Sequence, residues 1–483
     1  MHFNLFSYVL IIIIIYVVIK NFNKPLETMF KHILMVGLVV SFNTNLGNFF
    51  QLGASSVGYM FLINIILATI GVILIITKKN YKFKVLKFGF FTVLSLIIGL
   101  IGLKLRPYTG GIIIDYDKYV GGDSTRIYDL TVTGASYRFL INAVCFFIVA
   151  SSVYNTFTKE DIIKSIKFIL NISLAIYLSV FILETIGNYL LHISIAEKVF
   201  IPFFGYSHPT SVNIDRYHGL FKETSHYALA LFFLSLLCVV DININKQINR
   251  EKNIRKGIIR FLFFLFLLAI STSFIGIFYL FVSMLLYIAF DAKPKYKKIF
   301  CASACFVAVI LICIIMTGHG NIIPLYERFE KLFSSLSRLI KGESADFSSE
   351  GARLTSMFEM LVLVAARPFF GIGVAAADAH STILAMLGTT GIIGTGLWII
   401  TMLKASNIKR RCWFFIFLLI GALTCSGGNG GLTEIRLLYL FVAIGCVKFK
   451  IYGSQNATTL NEKLECKLAF VNFKENNREK NSY

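Results

Sequence analysis

Charge is what this sequence has least of. Only 15% of its 483 residues are Asp, Glu, Lys or Arg, against 56% hydrophobic and a mean hydropathy of +0.73. That balance excludes a water-soluble fold, because no aqueous core of this size hides so much apolar surface. Paired cysteine spacing is missing too. Most of the nine cysteines (Cys145, Cys238, Cys301, Cys305, Cys313, Cys446) fall inside apolar runs, so neither a disulfide framework nor a zinc site is expected. The first apolar run, YVLIIIIIYVVI, has no Lys or Arg before it and no small-residue cleavage site after it, and so reads as a retained span. There is no internal repeat. The one biased stretch is an Asn/Lys/Glu-rich tail after about residue 453, too polar to bury.

What is present is a series of apolar runs, each long enough to cross a hydrocarbon layer. Hydropathy and flanking charge give about 13 spans (12–14): roughly 5–20, 28–48, 57–77, 86–103, 138–157, 168–191, 225–241, 257–271, 274–290, 299–317, 381–403, 412–424 and 434–449. The expected fold is therefore an all-α polytopic membrane protein. A single transmembrane domain covers 1–452, and 453–483 forms a polar cytoplasmic tail. Acidic residues are outnumbered 26 to 47 by Lys and Arg, for a net charge of +21. Every second connection is basic: KNFNK, KKNYKFKVLK, NKQINREKNIRK, DAKPKYKK, KASNIKRR and the tail from Lys448. Roughly two thirds of all Lys and Arg fall on that side, which the positive-inside rule makes cytoplasmic. The charge is thus topological, and no nucleic-acid partner is expected.

Three long loops then face outward, about 104–137, 192–224 and 318–380, where function tends to be housed. Within the last, SSEGARLTSMFEMLVLVAARP reads as a helix capped by Ser348 or Ser349 and stopped by Pro368. Leu354, Met357, Phe358, Leu361 and Val362 or Val364 recur on one face, expected against the bundle or the outer membrane surface. Arg353 lies in the first turn, where free N–H groups and the helix dipole receive phosphate; a surface pair with Glu350 is the alternative. Ionisable residues at mid-span mark translocation paths; here they are nearly absent, with Glu184 the main candidate, and that scarcity disfavours an ion-coupled pump.

Arginines and histidines gather instead in the outward loops. Arg216 and Lys222 bracket the entry to the seventh span, Arg353 and Arg367 bracket the loop helix, and His380 precedes the next span. Arginine holds phosphate oxygens bidentately and keeps its charge, while histidine accepts a proton near neutral pH. Together they suit transfer of a group from a lipid-linked diphosphate to a hydroxyl. Arg216 and Lys222 are also residue types that simply anchor a span at the interface. Glu223 and His226 have a Glu-x-x-His spacing, but no second copy or partner carboxylate accompanies them, so no metal is expected.

The segment RYHGLFKETSHYA, from Arg216, resembles the R-x-x-G-x-F-x-E-P-S-x-x-A segment of the bacterial O-antigen polymerase and O-antigen ligase family. The later order of STSFIGI, an arginine, RPFFGIG, His380 and a GIIG helix is similar as well, with Arg353, Pro368, Gly371, Gly373, His380, Gly391 and Gly394 at the family's positions. The resemblance covers roughly 205–403. It implies a GT-C-like membrane glycosyltransferase with no cofactor and no metal, acting on undecaprenyl-diphosphate-linked oligosaccharides at the outer face of the bacterial cytoplasmic membrane. Membrane lipid and a chain-length regulator protein are the other partners it implies. Carried over position by position, Arg216 and Arg353 become diphosphate ligands, with Arg367 as an additional one; His380 becomes the candidate base, and Glu223 orients Arg216 or a sugar hydroxyl. Three positions depart from the family pattern: Phe274 replaces an arginine, Thr224 a proline, and Ser381 an asparagine.

Overall fold

The structure is a computed structural model. It describes residues 2–44, 50–52, 55–106, 132, 134–193, 195–204, 219–221, 224–248, 250–271, 279, 282–283, 334, 337–338, 360–361, 363–373, 381–406 and 435–445. Its main helices are α1 (Leu5–Lys20), α2 (Leu26–Asn43), α3 (Tyr59–Thr77), α4 (Lys84–Leu105), α5 (Gly134–Thr156), α6 (Lys159–Thr185), α7 (Thr224–Gln247), α8 (Glu251–Ile270), α9 (Thr382–Ala405) and α10 (Ile435–Gly445). Seven of them, α2 to α7 and α9, are long and apolar enough to cross a membrane. By that measure this is a multi-pass membrane protein. Of the six other expected spans, 5–20, 257–271 and 434–449 correspond to α1, α8 and α10, which fall outside that measure; 274–290, 299–317 and 412–424 lie almost wholly outside the described residues, as does the tail.

Two details differ from the expectation. The architecture is helical as expected, with one small addition: β1 (His2–Phe3), β2 (Phe50–Leu52) and β3 (Ser55–Val57) form an antiparallel sheet in the order β1-β2-β3. Such short strands carry no usable alternation, so sequence periodicity cannot find them. Helix α6 also begins at Lys159, nine residues before the expected span. A capping box sets its start: Thr158 accepts from the Asp161 N–H, and Asp161 reaches back to the Thr158 N–H. The polar first turns belong to the helix but not to the apolar run.

Contacts between helix ends sort the bundle into two ends. At one, Lys31 pairs with Asp161 at 2.7 Å and Lys78 with Glu27 at 2.8 Å. The Lys78 Nζ also donates to the Asn155 carbonyl, and Asn155 exchanges hydrogen bonds with the Lys82 backbone. The starts of α2, α4 and α6 and the ends of α3 and α5 therefore meet where the basic connections lie. At the other end are the small sheet, the close of α2 and the close of α6. There Asn4 Nδ2 donates to the Phe204 carbonyl and the Tyr59 hydroxyl to Asn4. This alternation agrees with the expected placing of the N-terminal segment opposite the basic connections.

Helix α7 is the centre. Its hydrophobic window is buried throughout, as expected for a helix that is apolar all round. It packs against α8, α6, α2 and α10.

Candidate functional site

Of the motif that opens with Arg216, the structure describes Gly219, Leu220 and Phe221, and then α7 from Thr224. Gly219 has φ +56, and a side chain there would meet the Tyr227 ring at 2.8 Å. Only glycine fits both the left-handed backbone and the contact. The Gly219 N–H donates to the carboxylate of Glu184, itself only 4% exposed in the last turn of α6. The Leu220 carbonyl accepts from Thr44 Oγ1 at 2.7 Å, and Phe221 is fully buried. Three helix ends thus clamp three consecutive motif residues: α2 through Thr44, α6 through Glu184 and α7 through Tyr227. Tyr177 of α6 stacks at a tilt on Tyr227 and donates to the Phe42 carbonyl, closing the cluster from below.

Glu184 thus lies just before α6 passes into a π-helical stretch, Ile186–Leu190, and its carboxylate holds a loop. Sequence alone missed what lies nearby. Arg436, in the first turn of α10 as described, is 9% exposed, donates to the Ser41 carbonyl at 3.3 Å and lies 5.5 Å from the Phe233 ring centre. Its signal was an arginine two residues inside the head of an apolar run, the same signal that an interface anchor gives. Asn43, beside Ser41, donates to Val39 and Ser173, and its Oδ1 is buried without a partner.

The second motif segment builds a different object. Residues 363–366 are helical, and the helix stops at Arg367, as Pro368 requires. Of the face expected against the bundle or the outer membrane surface, only Leu361 and Val364 are among the described residues. Leu361 is 47% exposed, while Met360 and Leu363 are buried with Leu100, Leu103 and Ile372. Met360 lies over Gly388, where a side chain would collide with its sulfur. The following turn then inserts into a break in α9 at Gly391, which has φ +66. Ile372 and Gly373 donate to the Gly388 and Thr389 carbonyls, and Ile392 and Ile393 donate to the Pro368 and Phe369 carbonyls. These four bonds, with Ser95 Oγ donating to the Thr390 carbonyl, satisfy backbone groups beside the break, which is how irregular backbone survives at membrane depth.

Glycine is needed at this crossing for want of space. A Cβ on Gly373 would lie 2.1 Å from the Leu100 nitrogen, and one on Gly391 2.3 Å from the Phe369 carbonyl. Gly371 and Gly373 also have positive φ. The RPFFGIG and GIIG motifs, far apart in the sequence expectation, are two halves of one backbone junction.

Arg367 is the one predicted ligand among the described residues. It is half-buried and donates to the Arg106 carbonyl at the close of α4. That bond ties the turn to α4. Arg216, Glu223, Arg353 and His380 lie outside the described residues. Ser381 caps α9 by accepting from the Leu384 N–H, a role that asparagine, its family counterpart, fills equally well. Thr224 is the first residue of α7, a position that favours proline. Both departures are thus conservative in helix terms.

Hydropathy did not single out every charge that packing hides. Asp241 of α7 is 2% exposed and faces Arg260 of α8 at 3.6 Å; Glu184, Asp241 and Arg436 are the buried acidic and basic side chains among the described residues. Span boundaries drawn from hydropathy had put Asp241 at a helix end, whereas α7 runs on to Gln247. Among the described residues no group of three or more His, Cys, Asp or Glu comes together. The chain matches no protein-family model and no curated protein.

Proposed function

We propose that this protein is a membrane glycosyltransferase of the O-antigen polymerase type. It joins undecaprenyl-diphosphate-linked oligosaccharide repeat units into O-antigen, capsule or exopolysaccharide at the outer face of the bacterial cytoplasmic membrane. The observation that carries this reading is the clamp on Gly219, Leu220 and Phe221. The constant glycine and phenylalanine of the resembled motif are held by three helix ends, at the end of the bundle opposite the basic connections. Fixed placement is what gives transition-state charge stabilisation its value, and a firmly held motif core is what this reading requires.

In this reading Arg216 and Arg353, supported by Arg367, bind the donor diphosphate, which departs carrying the bonding electron pair. His380, or Glu223 in its place, removes the proton from the acceptor hydroxyl as its oxygen bonds to the anomeric carbon. Attack opposite the leaving group inverts that centre. Removing one guanidinium should slow turnover about 100- to 1,000-fold, and removing the base about 100- to 10,000-fold. The test is the length ladder of cell-surface glycan on a gel. Arg353→Ala and His380→Ala should each collapse the ladder to single capped repeats at normal protein level, and an unchanged ladder excludes that residue. Long chains left on the carrier lipid in a deletion strain would instead identify a ligase, which transfers finished glycan to another acceptor.

A second reading has specific support. The broken helix α9 and the buried Asp241–Arg260 and Arg436 charges are features of translocation paths, so a lipid-linked-oligosaccharide flippase is the competing function. Against it, the carbonyls of Gly388, Thr389 and Thr390 and the N–H groups of Ile392 and Ile393 at the α9 break are taken by Ser95 and by residues 368–373, and so are not left to coordinate cargo. A flippase predicts donor accumulating on the cytoplasmic leaflet of the deletion strain.

A further inference from the structure

The buried Asp241–Arg260 pair borders a cleft of about 210 Å³ between α6, α7 and α8, lined by Lys167, Asn171, Asp241, Asn253, Lys256 and Arg260. It opens toward the basic end, far from the motif residues and with no part in the glycosyl-transfer reading. Three cations face one carboxylate there, and that carboxylate is already engaged. Asp241 accepts from Asn245 at 2.9 Å and faces Arg260 at 3.6 Å. Asn245, fully buried, also donates to the Asp241 backbone carbonyl, so the acid is held on its own helix. Arg260 is oriented from the other side by its hydrogen bond to the Asn171 side-chain oxygen. Lys167 and Lys256 have neither constraint: Lys167 is half-buried on α6, Lys256 is exposed on α8, and both border the opening.

Position argues for an anionic ligand as much as charge does. Arg260 lies nine residues into α8, about 13 Å along the helix by its rise per residue, so the floor of the cleft is below the level of the connecting loop. Excess positive charge at that depth is costly unless an anion meets it. The amides of Asn171 and Asn253 add neutral donors of the sort that bind phosphate oxygens. We propose that this cleft is a phosphate-binding site for a ligand in the membrane leaflet nearer the basic loops. Arg260 and the two lysines take the phosphate oxygens, and the acyl chains run down the apolar faces of α6 and α8, where Phe168 and Leu262 are exposed. A phospholipid headgroup and a free phosphate share this chemistry, and the experiment separates them.

The full chain is purified in detergent, stripped of lipid, and its thermal unfolding followed during titration with phosphatidylglycerol, with dioleoylglycerol as the phosphate-free control, or with inorganic phosphate. Wild type and the remote control Lys84→Ala should be stabilised by phosphatidylglycerol and not by dioleoylglycerol. In Lys167→Ala/Lys256→Ala the half-saturating concentration should rise roughly 25-fold, the product of about fivefold for each basic residue near a lipid surface. Lys256→Glu alone changes an exposed side chain and leaves the core intact, and it should weaken binding more than Lys256→Ala. A lysine-dependent shift with phosphatidylglycerol alone assigns a lipid headgroup. The same shift with inorganic phosphate assigns a soluble phosphate. Equal half-saturation in wild type and the lysine variants, or equal stabilisation by dioleoylglycerol, overturns the proposal.

Discussion

At the residue scale, the clearest dependence runs through Gly219 and Glu184. Gly219→Ala forces a side chain into a left-handed backbone and against the Tyr227 ring. It should cost about 1–3 kcal/mol, seen as a lower unfolding temperature of the purified protein. Glu184→Ala leaves the Gly219 N–H buried without its acceptor, a loss of about 1–3 kcal/mol. Glu184→Gln keeps a carbonyl oxygen in place and should recover most of that stability. If Glu184 acts by placing the loop, Ala should also shorten the glycan ladder while Gln restores it. An Ala variant with wild-type stability would break the clamp argument. The glycine and phenylalanine were legible in the sequence as motif positions. Glu184 as their support was not, because 35 residues separate it from Gly219 and hydropathy sees only an acid in an apolar run.

At the scale of elements, the broken helix decides most. A glycine inside a helix usually costs stability relative to alanine, and Gly396 of α9 has nothing within 4 Å of where a side chain would stand. Gly396→Ala is therefore expected to be neutral or stabilising by up to about 1 kcal/mol. Gly391→Ala, on the same helix, meets the Phe369 backbone with φ +66, and should abolish accumulation of folded protein. The comparison is one of yield and unfolding temperature in matched preparations; similar behaviour of the two variants would rule out the junction. At the start of α6, Thr158→Ala removes the capping box and should cost about 1 kcal/mol. That cap was readable as T-x-x-D before an apolar run. The exchange of hydrogen bonds between residues 368–373 and 388–393 was not, since strand-like pairing inside a membrane bundle has no local sequence pattern.

At the scale of the whole molecule, the two ends of the bundle can be tested directly. Cysteines introduced at Lys79 and Lys159 should react with an impermeant maleimide from one side of the membrane only, and a cysteine at Leu105, 80% exposed, from the other. Labelling of all three from one side would refute the alternation. Composition and spacing were enough to determine that the chain crosses a membrane repeatedly and that its first basic connections share a side, because bilayer thickness and loop charge act on each segment independently. The glycines and the loop residues of interest were marked by the family resemblance. Tertiary structure alone decided that Glu184 supports a motif loop, that two distant glycine motifs form one junction, that the loop helix packs through Met360 and Leu363, and that Asp241 and Arg260 share a basic cleft. Each of these is a meeting between segments remote along the chain, and hydropathy, a property of neighbours in sequence, carries no record of such meetings.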